Sequence, residues 1–167
     1  MLTLKPITAL LMAAIIISTV TSCNKAKDKC EGVVCQNSGT CVAGVCDCPP
    51  GYSGTHCETK ANTRFVGDYT GSANCGGSPD PASFPIEALN DPLSIQIDIE
   101  SGHYLEATVN GDAITIPVQN FPSGSENYRF SGNGTLNGNV LTLTIYVLYS
   151  SVDPDLYYTC TYSCSKQ

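Results

Sequence analysis

Leu136-Asn137-Gly138-Asn139-Val140-Leu141-Thr142-Leu143-Thr144-Ile145-Tyr146-Val147 decides the fold of most of this chain. Leu141, Leu143, Ile145, Val147 and Tyr149 fall on one side of an alternating run, and Thr142, Thr144, Tyr146 and Leu148 on the other. A period of two is the mark of a strand with one buried face. Asn-Gly between two such runs is the strongest short-range hairpin signal, so 127–136 turns at Asn137-Gly138 and returns as 139–149.

The alternation extends toward the N-terminus. Ser94-Ile95-Gln96-Ile97-Asp98-Ile99 alternates cleanly. Leu105, Ala107 and Val109 share a face, Asn110-Gly111 turns the chain, and Ile114, Ile116 and Val118 return. We place about eight strands, near 64–73, 83–89, 92–99, 104–109, 113–119, 127–136, 139–149 and 156–164. No helical period follows residue 60. Consecutive hairpins of this length predict an all-β, antiparallel up-and-down meander, closed as a small barrel or pressed into a sandwich.

Three cysteines lie in this region: Cys75, Cys160 and Cys164. Residues four apart in a strand have Cα atoms about 13 Å apart. A disulfide needs less than about 7 Å, so Cys160 and Cys164 do not pair with each other. In a closed meander the first and last strands run antiparallel side by side. That puts Cys75 opposite Cys160 and predicts a bridge that seals the barrel. Loop entropy makes such a long closure worth about 4 kcal/mol. Cys164 is left as an inert buried or terminal thiol, or as the partner in an intermolecular bridge.

Six more cysteines, Cys30, Cys35, Cys41, Cys46, Cys48 and Cys57, crowd a segment too short to bury much core. Spacing alone leaves 15 connectivities open. The ending Cys46-Asp47-Cys48-Pro49-Pro50-Gly51-Tyr52-Ser53-Gly54-Thr55-His56-Cys57 resembles that of the EGF family, C-x-C-x2-G-aromatic-x-G-x2-C. Asn37-Ser38-Gly39-Thr40 suits the turn into that family's main hairpin, and Ala43-Gly44 its tip. The resemblance covers residues 30–57. It implies Cys30–Cys41, Cys35–Cys46 and Cys48–Cys57, in a module (30–58) that serves as a spacer. Calcium-binding members carry acidic residues before the first cysteine; here Lys27-Asp28-Lys29 stands instead, so no metal is expected.

The N-terminus has the parts of an export signal. Lys5 is the positive charge, residues 7–20 are the apolar run, and Val20-Thr21-Ser22-Cys23 reads as a lipobox. The run is shorter than the roughly 20 apolar residues that span a bilayer. We therefore expect cleavage of a 1–22 lipoprotein signal peptide, lipidation of Cys23 with palmitate among its acyl chains, and a tether over 23–29. Multiple acyl chains hold a protein that one chain holds only marginally. Asn24 replaces the Asp that retains many lipoproteins in the inner membrane, which by that resemblance favours the outer membrane.

The chain carries a net charge of -7, and loss of Lys5 with the leader makes it -8. After Lys60, three cations (Arg64, Arg129 and Lys166) oppose eleven carboxylates, a surface that repels nucleic acid. His56 and His103 have no second histidine at ligand spacing. Asp153-Pro154-Asp155 reads as a turn, and no Gly-x-Ser-x-Gly elbow occurs. Neither enzyme activity nor a cofactor is expected.

Tyrosines gather near the C-terminus. Alternation groups Tyr158 and Tyr162 with Cys160, and sets Tyr146 and Tyr157 on the opposite face. Tyr146, Tyr149 and Tyr157 form the candidate recognition surface, for a protein or glycan; cross-strand structural pairing is the competing reading. Phe65-Val66-Gly67-Asp68-Tyr69-Thr70-Gly71 opens the β domain (59–167), and its most regular hairpin is 136–147. Together with an EGF-like module behind a lipobox, the chain resembles small Gram-negative lipoproteins whose C-terminal domain is lipocalin-like. It lacks the Gly-x-Trp signature of lipocalins proper, having no Trp. The reading is a non-enzymatic envelope protein that binds or adheres through its β domain, on the periplasmic or the surface side. The alternative is a carrier of a small apolar ligand, with Gly67, Gly71 and Ala73 leaving room inside.

Overall fold

The computed structural model describes residues 28–100, 103–123, 126–150 and 156–167. The leader, Cys23 and the tether lysines Lys25 and Lys27 lie outside the described residues, as do Asp153-Pro154-Asp155. A disulfide-stapled N-terminal module is followed by a closed eight-stranded antiparallel barrel.

In the first module, β1 (Thr40–Val42) and β2 (Val45–Asp47) form a hairpin in which Cys41 faces Cys46. Ala43 and Gly44 turn it with φ of 53° and 94°. Bonds join Cys30 to Cys41, Cys35 to Cys46 and Cys48 to Cys57. Cys57 and Cys46 are buried while most of the module is exposed, so the sulfur bridges stand in for a core. A second small ladder pairs β3 (Tyr52–Ser53) with β4 (Thr59–Lys60). By this pairing Thr59 and Lys60 go with the module, although the sequence boundary set them in the β domain.

Residues Ala61–Phe65 then form a 3-10 helix where the alternation had put the start of the first barrel strand. Phe65 is fully buried, and the Tyr69 hydroxyl donates to its carbonyl at 2.8 Å. The strand begins only at Gly67, because Phe65 turns in to plug the barrel's end instead of joining its wall. Periodicity could not show this, since one 3-10 turn is too short to print a period.

The barrel strands are β5 (Gly67–Asn74), β6 (Asp80–Ala88), β7 (Ser94–Glu100), β8 (His103–Asn110), β9 (Ala113–Ser123), β10 (Glu126–Asn137), β11 (Val140–Ser150) and β12 (Leu156–Lys166). Each pairs with its neighbour in sequence, and β12 pairs with β5 to close the ring. This is an up-and-down barrel and not a sandwich. Two-residue loops join β8 to β9 and β10 to β11: Asn110 pairs with Ala113 and Asn137 with Val140. The loops are thus Gly111-Asp112 and Gly138-Asn139, one residue later than the Asn-Gly reading, with Gly φ of 57° and 58°. His103 begins β8.

Alternation delivers one face of the strands to the interior, except that in β9 a bulge after Ile116 shifts the parity and leaves Val118, grouped with Ile114 and Ile116 by period, 61% exposed. Ile95, Ile97, Leu105, Leu141 and Leu143 are fully buried, with Ile86, Ile114, Ile116, Leu136, Ile145 and Val147 nearly so. Each such side chain contributes roughly 1.5–3 kcal/mol by leaving water. Gly71 and Gly132, also on inward positions, leave no room: a Cβ there would run into the carbonyls of Ser163 and Thr144. At Gly67 it would meet the Lys166 side chain at 2.7 Å. These glycines permit close strand approach and are not the gaps that the carrier reading assigned to Gly67 and Gly71.

The wall is uneven. β10 and β11 stay in register from Asn127–Ser150 to Asn137–Val140. By contrast β6 meets β7 only at Ile86–Ile97, Glu87–Gln96 and Ala88–Ile95, and β8 meets β9 only from Thr108–Thr115 to Asn110–Ala113. The β7–β8 hairpin therefore leans away from both neighbours beyond those pairs. Gln119 spans the second gap: its carboxamide accepts from the Glu106 N–H (3.0 Å) and donates to the Glu106 carbonyl (2.8 Å).

Candidate recognition surface

The outer faces of β10, β11 and β12 carry two adjoining cross-strand rows. Arg129 opposes Leu148, which opposes Tyr157; Ser131 opposes Tyr146, which opposes Thr159. Outward alternation, the complement of the buried Ile145 and Val147, puts these side chains on the surface. They line a cleft of about 170 Å³ formed by Arg129, Ser131, Tyr146, Leu148 and Tyr157. Tyr157 is 67% exposed and Tyr146 44%. Arg129 Nε donates to Asn120 Oδ1 at 3.2 Å across the strand pair, which steadies the guanidinium at the cleft's edge. Two phenols, an aliphatic floor, a hydroxyl and a guanidinium suit stacking and hydrogen bonding, the chemistry of recognition surfaces.

Tyr149 does not join them. It has the parity of Val147 and lies half-buried on the inner side, its ring 5.1 Å from Tyr128. Tyr128 stacks on Phe130, which meets Phe121 edge-on at 5.4 Å. The sequence grouping of Tyr146, Tyr149 and Tyr157 is corrected on that count: odd and even positions of one strand cannot share a face. Tyr162 is also drawn inward, edge-on to Phe84.

The cysteines fall along the barrel seam. Cys75 is bonded to Cys160, next to the Asn74–Thr161 pair. Cys164 opposes Gly71 on one side and Leu141 on the other, and is a buried free thiol. Burial pushes its pKa up, with a backbone hydrogen bond from Ser72 working the other way. In the first module Glu58 accepts from the His56 N–H at 2.8 Å. Its carboxyl is held below the usual range, first by its own backbone N–H and then by that of His56.

The junction between module and barrel escaped sequence reading. Asn62, fully buried, donates from Nδ2 to the carbonyls of Asp91 and Ser94 (both 2.9 Å) and Leu89 (3.2 Å). Its backbone N–H reaches the Pro92 carbonyl, and the Ala61 N–H the Gly51 carbonyl. A Cβ on Gly51 would meet Pro92 Cγ at 2.8 Å, so module and barrel touch there without space. Arg64 pairs with Asp112 in the β8–β9 loop, and Lys166 donates to the Arg64 carbonyl. The module thus sits against the end where the β6–β7, β8–β9 and β10–β11 loops gather. Nothing in Lys60-Ala61-Asn62-Thr63 distinguishes this from a linker.

A family model described as an EGF-like domain matches residues 28–57. Those residues are an EGF-like module. Human fibulin-7 is 49% identical over 39 residues, which are 21% of this chain and 9% of that protein. Mouse lactadherin is 29% identical over 75 residues, 42% of this chain and 16% of its own length. The chain therefore spans less than a fifth of either relative. No solved structure matches. EGF-like modules are extracytoplasmic parts, built where disulfides persist, and they belong to binding and adhesion architectures. Among the described residues no helix is long and apolar enough to cross a membrane, and no three His, Cys, Asp or Glu side chains converge to hold a metal.

Proposed function

We propose that this chain is a lipid-anchored cell-envelope protein, held through Cys23 in the outer membrane, that binds or adheres through the outer wall of its barrel. The carrying observation is the placement of the Tyr146–Tyr157 cleft. The EGF-like module occupies the end of the barrel where the short loops gather. Tyr157 lies at the start of β12 and Arg129 near the start of β10, both toward the opposite end. A tether and a spacer on one side, with an exposed aromatic cleft toward the other, suit a presented recognition unit. The partner is a protein or a glycan that stacks on tyrosine.

The carrier reading has one observation in its favour, the inner aromatic group of Phe121, Tyr128, Phe130 and Tyr149, which is only part-buried. Against it stand Phe65, Tyr69 and the inward Ile and Leu set, packed without exposure. Two measurements test the proposal. Cys23→Ser should release the protein from the membrane fraction; retention would refute the anchor. Adhesion of protein-bearing cells to host or matrix surfaces should drop on Tyr146→Ala with Tyr157→Ala; undiminished adhesion would refute the cleft.

A further inference from the structure

The Tyr146–Tyr157 cleft is charged on one side only. In its outward row Arg129 opposes Leu148, and Leu148 opposes Tyr157. Two strand spacings put the Arg129 and Tyr157 backbones about 10 Å apart, with Leu148 as the floor between them. Ser131 and Tyr146 lie two residues further along β10 and β11, and add two hydroxyls to the same side of the wall. The cleft of about 170 Å³ between these groups has room for one sugar ring with its substituents, not for a run of them.

Beyond Lys60 three cations face eleven carboxylates. Arg64 pairs with Asp112, and Lys166 donates to the Arg64 carbonyl, both at the module end of the barrel. Arg129 differs from them. Its Nε donates to the neutral Asn120 Oδ1, and among the described residues no carboxylate or other acceptor takes its two Nη nitrogens. A guanidinium oriented by a neutral neighbour, with its terminal fork unused in a domain so rich in carboxylates, is matched to an anion brought from outside. The same surplus of carboxylates repels a polyanion, so the charge that fits is single.

Resting on the recognition reading of this cleft, we infer that it takes one carboxylate-bearing sugar, a uronic or sialic acid at the end of a glycan. The carboxylate meets the Arg129 fork. The weakly positive C–H side of the ring lies against a tyrosine face, whose quadrupole is negative. Ring hydroxyls reach Ser131 and the phenols. An acidic peptide is the poorer fit. Under the cleft β11 is laddered on both sides and β10 along the Arg129 row, so a peptide laid over them finds no main-chain partner. A peptide added as a strand beside β12, which meets β5 only from Thr161 on, would lie about 14 Å from the Arg129 strand.

Backbone amide shifts of the full mature chain test it, with methyl β-D-glucuronide as probe and methyl β-D-glucoside, which lacks only the carboxylate, as the neutral control. The glucuronide should shift the amides of Arg129, Ser131, Leu148 and Tyr157 with a Kd on the order of 1 mM, about tenfold tighter than the glucoside. Arg129→Gln should erase that difference and keep the glucoside response, with the remaining amide spectrum unchanged to certify the fold. Tyr157→Ala should weaken both sugars. Equal affinity for the two sugars, or a preference that survives Arg129→Gln, would overturn the carboxylate assignment. An equal response at the same amides to acetyl-Gly-Glu-Gly-amide would overturn the sugar in favour of an acidic peptide. No response to either sugar, while adhesion still falls on loss of the Tyr146 and Tyr157 rings, would overturn this inference and leave the recognition reading standing. If adhesion is also unmoved, both fall.

Discussion

Asn62 hands its two carboxamide hydrogens to the carbonyls of a single loop, residues 89–94, while its backbone holds Pro92. Asn62→Ala leaves those carbonyls short of donors, and the loss should be about 1–3 kcal/mol, read from the denaturant midpoint. Cys164 makes a contrasting prediction. Buried beside Gly71 with its pKa raised by burial, it should resist iodoacetamide at pH 8 in the native state and be alkylated once unfolded. Because its folded pKa lies above the unfolded one, its contribution to stability is complete below the unfolded thiol pKa. That contribution is lost as pH rises through the folded value. Glu58 runs the other way: its folded pKa is depressed, so its contribution is present above the unfolded carboxyl pKa and lost as pH falls through the folded one. Following the Glu58 side-chain carbon by NMR through an acid titration checks the direction. The role of Asn62 was invisible in the sequence, because an asparagine in a polar linker carries no sign of what it will touch. Cys164 was legible as far as a thiol left over from the seam bridge, buried or terminal, and the structure makes it buried.

The β5–β12 seam and the β7–β8 hairpin are the elements where the wall is closed and where it gives. Cys75→Ser with Cys160→Ser opens a loop spanning 85 residues of separation, and should destabilise by about 4 kcal/mol on the loop-entropy account. Thermal unfolding of the double variant against the parent measures it. Gly71→Ala should destabilise too, since its Cβ would press on the Ser163 carbonyl, a backbone atom that cannot swing away. The strand periods were legible because each strand buries one face; Ile95–Ile97 and Leu141–Leu143 write it plainly. The lean of β7–β8 was not legible. It depends on where ladders end, and side chains such as Gln119 that bridge the gap look like any outward polar residue. Tyr149 shows the related error of grouping by nearness along the chain when parity decides the face. The 3-10 helix of Ala61–Phe65 went unseen for want of length.

As a whole the molecule is a stapled EGF-like module docked on the loop-bearing end of a filled barrel, with an aromatic cleft on the outer wall. A filled interior argues for recognition outside. Tyr146→Ala and Tyr157→Ala should therefore leave stability within about 0.5 kcal/mol of the parent, as exposed substitutions do, while removing adhesion. Sequence supplied the fold class and the cysteine framework because covalent spacing and alternation are local signals. It supplied the Tyr146–Tyr157 cleft only in part, since which side chains meet across β10, β11 and β12 depends on strand register and parity. The most direct test is native mass spectrometry of the protein extracted gently from its own membranes. The account predicts an acylated Cys23 at the N-terminus, a mass lower by the eight hydrogens of four disulfides, and no small molecule retained. A reproducible apolar ligand carried with the protein would contradict recognition by the outer wall and restore the carrier.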